Sequence, residues 1–367
     1  MHILIVKTSA LGDVIQAFPV VSYIKRKYPE ALIDWVIEKG NKALVLAHPE
    51  VDRVIEIDSK VWRKNLLQPC TYREIAAFRR HLRLRHYDVV FDLQGNAKSA
   101  FVTSQALSSA KVGFGWKSAP EWPSCLTTSF HFNPPSGRNI REDYLWLVAS
   151  FFGEAHLVPQ ELTMTDLAGH AMLLQIEHAE KDKIERLLAH SQGHLSAHSP
   201  KVVVCPGSFW PNKQLNCQSL ADFMHCLQRF LGCTFLLVWG SPAEHKISIE
   251  LHQHFPQHSQ IVEKLSLPGL QNLMHAADLV LAMDSLPLHL AGTTATPTYS
   301  IFGASSSQKY MPQGQQHAAY QGTCPYGRSF EKRCPILRTC PTGACIRSLE
   351  AQPLFAHFAQ WWEVFRN

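Results

Sequence analysis

Short runs of apolar residues alternate along this chain with segments whose apolar residues recur at helical spacing. That is the pattern of buried parallel strands joined by helices. His2–Val6 reads as a compact first strand, and Val14, Ala17, Val21 and Ile24 predict a helix over Val14–Lys27, kinked at Pro19. Leu32–Ile37 and Arg53–Ile57 follow as strands, then an amphipathic helix over Tyr72–His86, a buried strand over Asp88–Leu93 and a helix over Asn96–Leu107. Residues 115–140, rich in Pro, Ser and Trp, predict an irregular excursion; Lys181–His190 predicts a helix and Ser191–Pro200 a linker. The alternation then restarts, with strands at Lys201–Cys205, Phe235–Trp239, Leu279–Met283 and Thr298–Phe302 and a helix at Leu267–Ala277.

Two alternations in a chain of 367 residues predict an α/β protein of two Rossmann-like domains, residues 1–190 and 200–350, facing across a cleft. Ligands of such sheets bind at the carboxyl ends of the strands, so the chemistry is expected in the loops that follow them. No apolar run approaches the length of a membrane span, and the first residues lack the features of a signal peptide. A cytoplasmic protein with reduced thiols is therefore expected from its ten cysteines.

The net charge of +5 is mild but uneven. Lys60 to Arg85 holds eight Lys or Arg residues and one acid, Glu74, a stretch suited to an anionic substrate or membrane face, or simply to a solvated helix face.

Four loops after strands carry candidate chemistry. The first, Thr8-Ser9-Ala10-Leu11-Gly12-Asp13, places a carboxylate at a helix start; alone it reads as a cap, and at a cleft as a general base. It lacks the glycine pattern of dinucleotide sites. The second, Pro206-Gly207-Ser208-Phe209-Trp210-Pro211-Asn212-Lys213, offers turn amides, the Ser208 hydroxyl and the Lys213 charge to a phosphate, and is otherwise an ordinary surface turn. The third, Trp239-Gly240-Ser241-Pro242-Ala243-Glu244, places Glu244 to hold ribose hydroxyls or to sit on a helix N-terminus. The fourth, Asp284-Ser285-Leu286-Pro287-Leu288-His289, predicts a capped helix start with His289 within reach of a phosphate or sugar.

With these loops in this order, and with Val6-Lys7-Thr8-Ser9, Gly12-Asp13-Val14, Asp34-Trp35-Val36, Trp62-Arg63-Lys64, Tyr87-Asp88, Gln94-Gly95 and Lys98-Ser99-Ala100, the chain resembles the ADP-heptose:lipopolysaccharide heptosyltransferases of glycosyltransferase family 9, most of all their type I branch. The resemblance implies a GT-B fold with the acceptor on the first domain and the nucleotide sugar on the second. It also implies a last helix, 353–367, returning to the first domain. The implied reaction is inverting, metal-independent transfer of a heptose from ADP-heptose to the Kdo-lipid A inner core, at the cytoplasmic face of the inner membrane. The enzyme would be a monomer with no cofactor and no nucleic-acid partner. The absence of any Asp-x-Asp triplet agrees with metal independence. The family's base falls on Asp13. Its donor-binding positions fall on Ser208, Lys213, Glu244, Leu265 (against the adenine), Asp284, Ser285 and His289. Its acceptor-binding positions fall on Lys7, Gly12, Lys60, Arg63 and Lys64.

Three positions depart from the family pattern. Leu286 replaces a Gly that lets backbone approach the diphosphate; Gln214, Leu215 and Asn216 replace an aromatic and a Pro; and Pro120 stands where an acceptor-side Arg is common. Cys324, Cys334, Cys340 and Cys345 crowd together without the paired spacing of common zinc sites, which predicts a loop of reduced thiols ahead of a disulfide or a metal site. Alternative readings are a type II or other core transferase, a GT-B-fold nucleotide-sugar epimerase, or a non-catalytic sugar-binding relative.

Overall fold

The computed structural model describes residues 1–158, 172–190 and 199–366. The chain divides into two compact units, Met1–Gln175 and Ile176–Asn367.

The first unit holds one parallel sheet. Its strands are β1 (His2–Val6), β2 (Leu32–Glu38), β3 (Arg53–Ile57), β4 (Tyr87–Asp92), β5 (Ser108–Phe114) and β6 (Phe130–Phe132), in the order β3-β2-β1-β4-β5-β6. Ile3 to Val6 are wholly buried, as expected of a central strand covered on both faces. The strand order reverses between β1 and β4, which is where a Rossmann sheet opens its crevice. A buried carboxylate stiffens the opposite half. Asp34 on β2 accepts from Arg53 Nε and Arg85 Nη1, both at 2.8 Å, and from the Tyr87 hydroxyl at 2.8 Å. Arg85, at the end of the basic stretch, is thereby part of the fold.

The second unit repeats the plan with β7 (Lys201–Cys205), β8 (Thr234–Leu237), β9 (Ser259–Ile261), β10 (Leu279–Met283), β11 (Thr298–Phe302) and β12 (His317–Gln321). All are parallel, in the order β12-β11-β10-β7-β8-β9. Counted within the unit this is the same order, and its reversal lies between β7 and β10.

Three expectations are corrected. Val14–Lys27 is not one kinked helix but two, Leu11–Ile15 and Phe18–Lys27, because Pro19 begins the second helix in its first turn, where a missing N–H costs nothing. The helix over His178–His190 belongs to the second unit, where the Glu180 carboxylate accepts from Ser266 N at 2.7 Å and Ser266 Oγ at 2.6 Å. The last helix, Ala351–Arg366, is built into the second unit: Leu354 and Phe358 are buried in that unit's core, and the Tyr299 hydroxyl donates to Leu354 O at 2.9 Å. Residues 191–198 of the expected linker lie outside the described residues. Among the described residues no helix is long and apolar enough to cross a membrane.

Candidate active site

At the first reversal, the loop after β1 is shaped by the loop after β4. Asp92, wholly buried, accepts from Gln94 N and Gly95 N at 2.9 Å through one oxygen and from Ser99 Oγ at 2.8 Å through the other. Burial raises its pKa against the pull of these hydrogen bonds and of Lys7. The turn needs Gly95, which has φ +70° and would place a side chain 2.6 Å from Pro120. Pro120, in the position of the expected Arg, thus roofs this turn. Gln94 Oε1 then accepts from both Thr8 N and Ser9 N at 3.1 Å, which fixes the segment leading to Asp13.

Asp13 is the third residue of the helix Leu11–Ile15, in which Gly12 forms the first turn. Its Oδ2 accepts from Ala10 N at 3.4 Å, and among the described residues Oδ1 has no hydrogen-bond partner. Lys7 is placed differently from a surface acceptor ligand. It is 3% exposed, donates to Leu93 O at 3.1 Å and lies 4.7 Å from the centre of the Tyr144 ring. Burial lowers its pKa to about 8, opposed by the nearby Asp13 and Asp92 carboxylates. Lys7 therefore backs the loop. Lys60, Arg63 and Lys64 lie exposed on the helix Ser59–Lys64, which starts at the carboxyl end of β3 on an Asp58 cap. Glu38, at the end of β2, accepts from Ser59 Oγ and from Lys98 Nζ at 2.9 Å, and Lys98 also donates to Ser9 Oγ at 3.1 Å. This links the ends of β1, β2 and β3. Glu38 was missed as a site residue; its signal is a carboxylate closing an apolar strand.

At the second reversal, Lys213, Ser208, Asp284 and His289 come together. Lys213 Nζ lies 2.5 Å from Asp284 Oδ2, His289 Nε2 lies 3.9 Å from Asp284 Oδ1, and Ser208 Oγ donates to Asp284 O at 3.4 Å. All four residues are buried. Burial alone would raise the pKa of Asp284; the Lys213 charge, His289 and the hydrogen bonds from Lys213 and Ser305 outweigh it, and the carboxyl sits below the usual range. Ser305 was also missed, although it follows β11 in the strand-end run Gly303-Ala304-Ser305. The arrangement presents an oriented ammonium, an imidazole and a hydroxyl at a strand-end crevice, a set suited to an anionic leaving group.

The model of glycosyltransferase family 9 (heptosyltransferase) matches residues 75–339. The chain belongs to glycosyltransferase family 9. Lipopolysaccharide heptosyltransferase 1 of Pseudomonas aeruginosa is 28% identical over 341 residues, 91% of this chain and 87% of the relative. The structure of the Escherichia coli heptosyltransferase WaaC with ADP aligns at TM-score 0.74 and 23% identity, over 98% of this chain and 100% of that one. The same enzyme with ADP-2-deoxy-2-fluoro heptose aligns at TM-score 0.69 and 25% identity, over 88% and 94%. The two sheets are the Rossmann-like units of a GT-B fold, and the chain is a glycosyltransferase.

Within this family 9 enzyme the remaining site residues divide. Glu244 adjoins the Ser208 turn: a Cβ on Gly207 would fall 2.3 Å from Glu244 Cγ. Its Oε2 also caps the helix Pro242–His254, accepting from Gly240 N at 2.9 Å and Ser241 N at 2.8 Å. Leu265 is not among the residues gathered by Asp284. It lines a cavity of about 420 Å³ with Lys183, Ile184, Leu187 and Val262, at the carboxyl end of β9. Ser285 begins the helix Leu286–Ala291, but its hydroxyl donates back to Met283 O at 3.3 Å and does not cap it.

The departures have structural explanations. No described non-glycine residue has positive φ, so the backbone at Leu286 does not require the family's glycine. Gln214 Nε2 donates to Ser208 O, Leu215 is buried in the core, and Asn216 caps the helix Cys217–Leu231 through Ser219 N at 2.7 Å. The four clustered cysteines line one small cavity with unpaired thiols. Among the described residues no three His, Cys, Asp or Glu side chains form a set able to hold a metal ion.

Proposed function

We propose that this enzyme transfers a heptose, with inversion and without a metal ion, from ADP-heptose to the Kdo-lipid A inner core of lipopolysaccharide, as a type I heptosyltransferase. The observation that carries the reading is the buried Lys213 ammonium held beside His289 and Ser208 at the β7–β10 reversal. In this reading the donor diphosphate meets those groups, Glu244 takes the ribose hydroxyls with Oε1, the oxygen left over from its cap, and Leu265 packs against the adenine. Lys60, Arg63 and Lys64 face the anionic acceptor, while Lys7 and Gly12 shape the loop that carries the base.

Asp13 takes the proton of the acceptor hydroxyl as that oxygen bonds to the anomeric carbon. The bond from that carbon to the diphosphate breaks on the opposite face of the sugar, and ADP leaves with the bonding pair. The departing charge is met by Lys213 and His289, so no strong general acid is required. The type I assignment is supported by the name of the Pseudomonas relative. The enzyme would act as a monomer at the cytoplasmic face of the inner membrane.

The test is Asp13→Asn, read in two assays. Transfer is expected to fall by about 10²–10⁴-fold, the usual contribution of a positioned base, with ADP affinity within twofold of the parent. Turnover within tenfold of the parent removes Asp13 as the base. A panel of Kdo-lipid A with and without a first heptose, read by mass spectrometry, separates type I from type II.

A further inference from the structure

The transfer reading makes no use of the four clustered cysteines, yet they belong to the frame of the donor crevice. Cys324, Cys334, Cys340 and Cys345 line one cavity of about 20 Å³, room for about one water molecule, and none of them is in a disulfide. Two of them touch supports of the buried Lys213–Asp284 pair. Asn212, the residue before Lys213, donates through Nδ2 to Leu337 O and to Cys340 O, both at 2.9 Å. A Cβ on Gly303 would fall 3.2 Å from Cys345 Sγ, so this thiol lies against the run Gly303-Ala304-Ser305, whose last hydroxyl donates to Asp284. Cys334 N donates to Ala304 O at 2.8 Å and Ser306 N to Lys332 O at 2.9 Å, which ties the same run to the cysteine loop.

The two thiols differ in character. Cys340 is half-buried and accepts from Gly343 N at 3.4 Å; this hydrogen bond, with one from Thr342, lowers its pKa. Cys345 is 8% exposed; burial pushes its pKa up to about 11, and Cys324, Cys340 and Cys334 add to the rise, which places those three thiols near it. A reachable thiol that ionises readily, close to a second thiol, is the arrangement of an oxidisable pair. We propose that Cys340 and Cys345 form a disulfide on exposure to a hydroperoxide, and that this bond loosens the donor site. The Cys340 thiolate attacks one peroxide oxygen; the O–O bond breaks, the leaving hydroxide takes a proton to become water, and Cys340 is left as a sulfenic acid. Cys345 Sγ then attacks that sulfur; the S–S bond forms, the S–O bond breaks, and the hydroxide leaves with the Cys345 proton as a second water. The two thiols lose two electrons in all, and the peroxide gains them. Drawing the sulfurs together displaces Cys340 O from Asn212 and Cys345 Sγ from Gly303, so Lys213 and Ser305 both lose a support. The inference rests on reading the Lys213 crevice as the diphosphate site.

The test treats the full chain with hydrogen peroxide and reads two things, the linked peptides by mass spectrometry after digestion and the ADP affinity by calorimetry, each before and after dithiothreitol. A Cys340–Cys345 link is expected, with ADP binding roughly tenfold weaker, the worth of about one hydrogen bond, and restored by the reductant. Cys340→Ser is expected to bind ADP within about twofold of the reduced parent and to keep that affinity in peroxide, since it has lost the attacking thiolate. Cys345→Ala, which removes the second sulfur, should keep its affinity likewise and decides the matter if Cys340→Ser does not fold. No disulfide, a disulfide between any other two cysteines, or a Cys340–Cys345 link with unchanged ADP affinity overturns the proposal. So does a loss of affinity in peroxide that persists in the folded variants, and so does a stoichiometric zinc or iron ion bound by the four thiols of the purified chain. Failure of the reduced parent to bind ADP sinks the donor reading instead, and the peptide map then still decides whether the two thiols join.

Discussion

Replacing Asp284 by Asn isolates the charge that holds Lys213 in place. The two groups lie 2.5 Å apart with side chains 9% and 4% exposed. At an effective dielectric constant of about 20 their attraction is roughly 7 kcal/mol, and much of it offsets the cost of taking both from water. Removing one partner leaves the other buried without compensation, which costs about 3–5 kcal/mol. Asn keeps the shape and can still accept from Ser305, so the lower end, about 3 kcal/mol, is expected. For a unit of this size that corresponds to a fall of roughly 6–12 °C in melting temperature. The pH dependence has a definite sign. The Asp284 carboxyl is held below the usual range, so its contribution is complete above the unfolded value near pH 4 and is lost as pH falls through the lower folded value. The gap between parent and variant should therefore be constant from pH 7 to about 5 and narrow toward pH 3. Saturating ADP should also narrow it, because the diphosphate supplies Lys213 with a new counter-charge. Urea unfolding with and without ADP, at pH 7 and pH 3, measures all three effects. A gap under about 0.5 kcal/mol at pH 7, within the range of ordinary surface substitutions, or one that widens in acid, refutes the reasoning.

Two further substitutions probe the loops. Lys7 is buried with its pKa lowered to about 8, so the unfolded chain binds its proton more readily and parental stability should rise relative to Lys7→Met between pH 8 and 10.5, by roughly 3 kcal/mol; parallel stability curves in urea across that range contradict it. Leu286→Gly should cost about 0.5–1 kcal/mol in stability with donor KM little changed, because the backbone there is ordinary helix; a tenfold gain in kcat/KM would show instead that the leucine side chain obstructs the donor.

The central strands were legible because burial on both faces leaves a mark on sequence. β1, β7, β10 and β11 appear where the apolar runs place them, as does one edge strand, β3. The other edges left no such mark. β6, β9 and β12 are short and mixed, as in Ser259-Gln260-Ile261 and His317-Ala318-Ala319-Tyr320-Gln321, because an edge strand is covered on fewer sides and tolerates polar residues. The helices Ile140–Phe151, Cys217–Leu231 and Pro242–His254 are announced by the caps Asn139, Asn216 and Ser241, a signal that apolar periodicity does not register. Which unit the last helix joins could not be read locally, since that depends on the partners Phe223 and Tyr299 far along the chain.

The site was legible in identity but not in assignment of labour. Asp13 and Glu244 each had two readings, cap or functional group, and the structure makes the cap real in both cases. The readings do not compete, because a carboxylate has two oxygens and a cap occupies one. A helix whose third residue reaches back to its own first amides fixes that side chain at the strand end and leaves the second oxygen for a ligand. Capping is then the device that positions the carboxylate, with no further side chain needed to orient it. The same logic separates Asp284 from both. Its Oδ2 is taken by Lys213 and Ser305 and its Oδ1 faces His289 at 3.9 Å, so its charge is spent on holding the ammonium and imidazole that face a substrate.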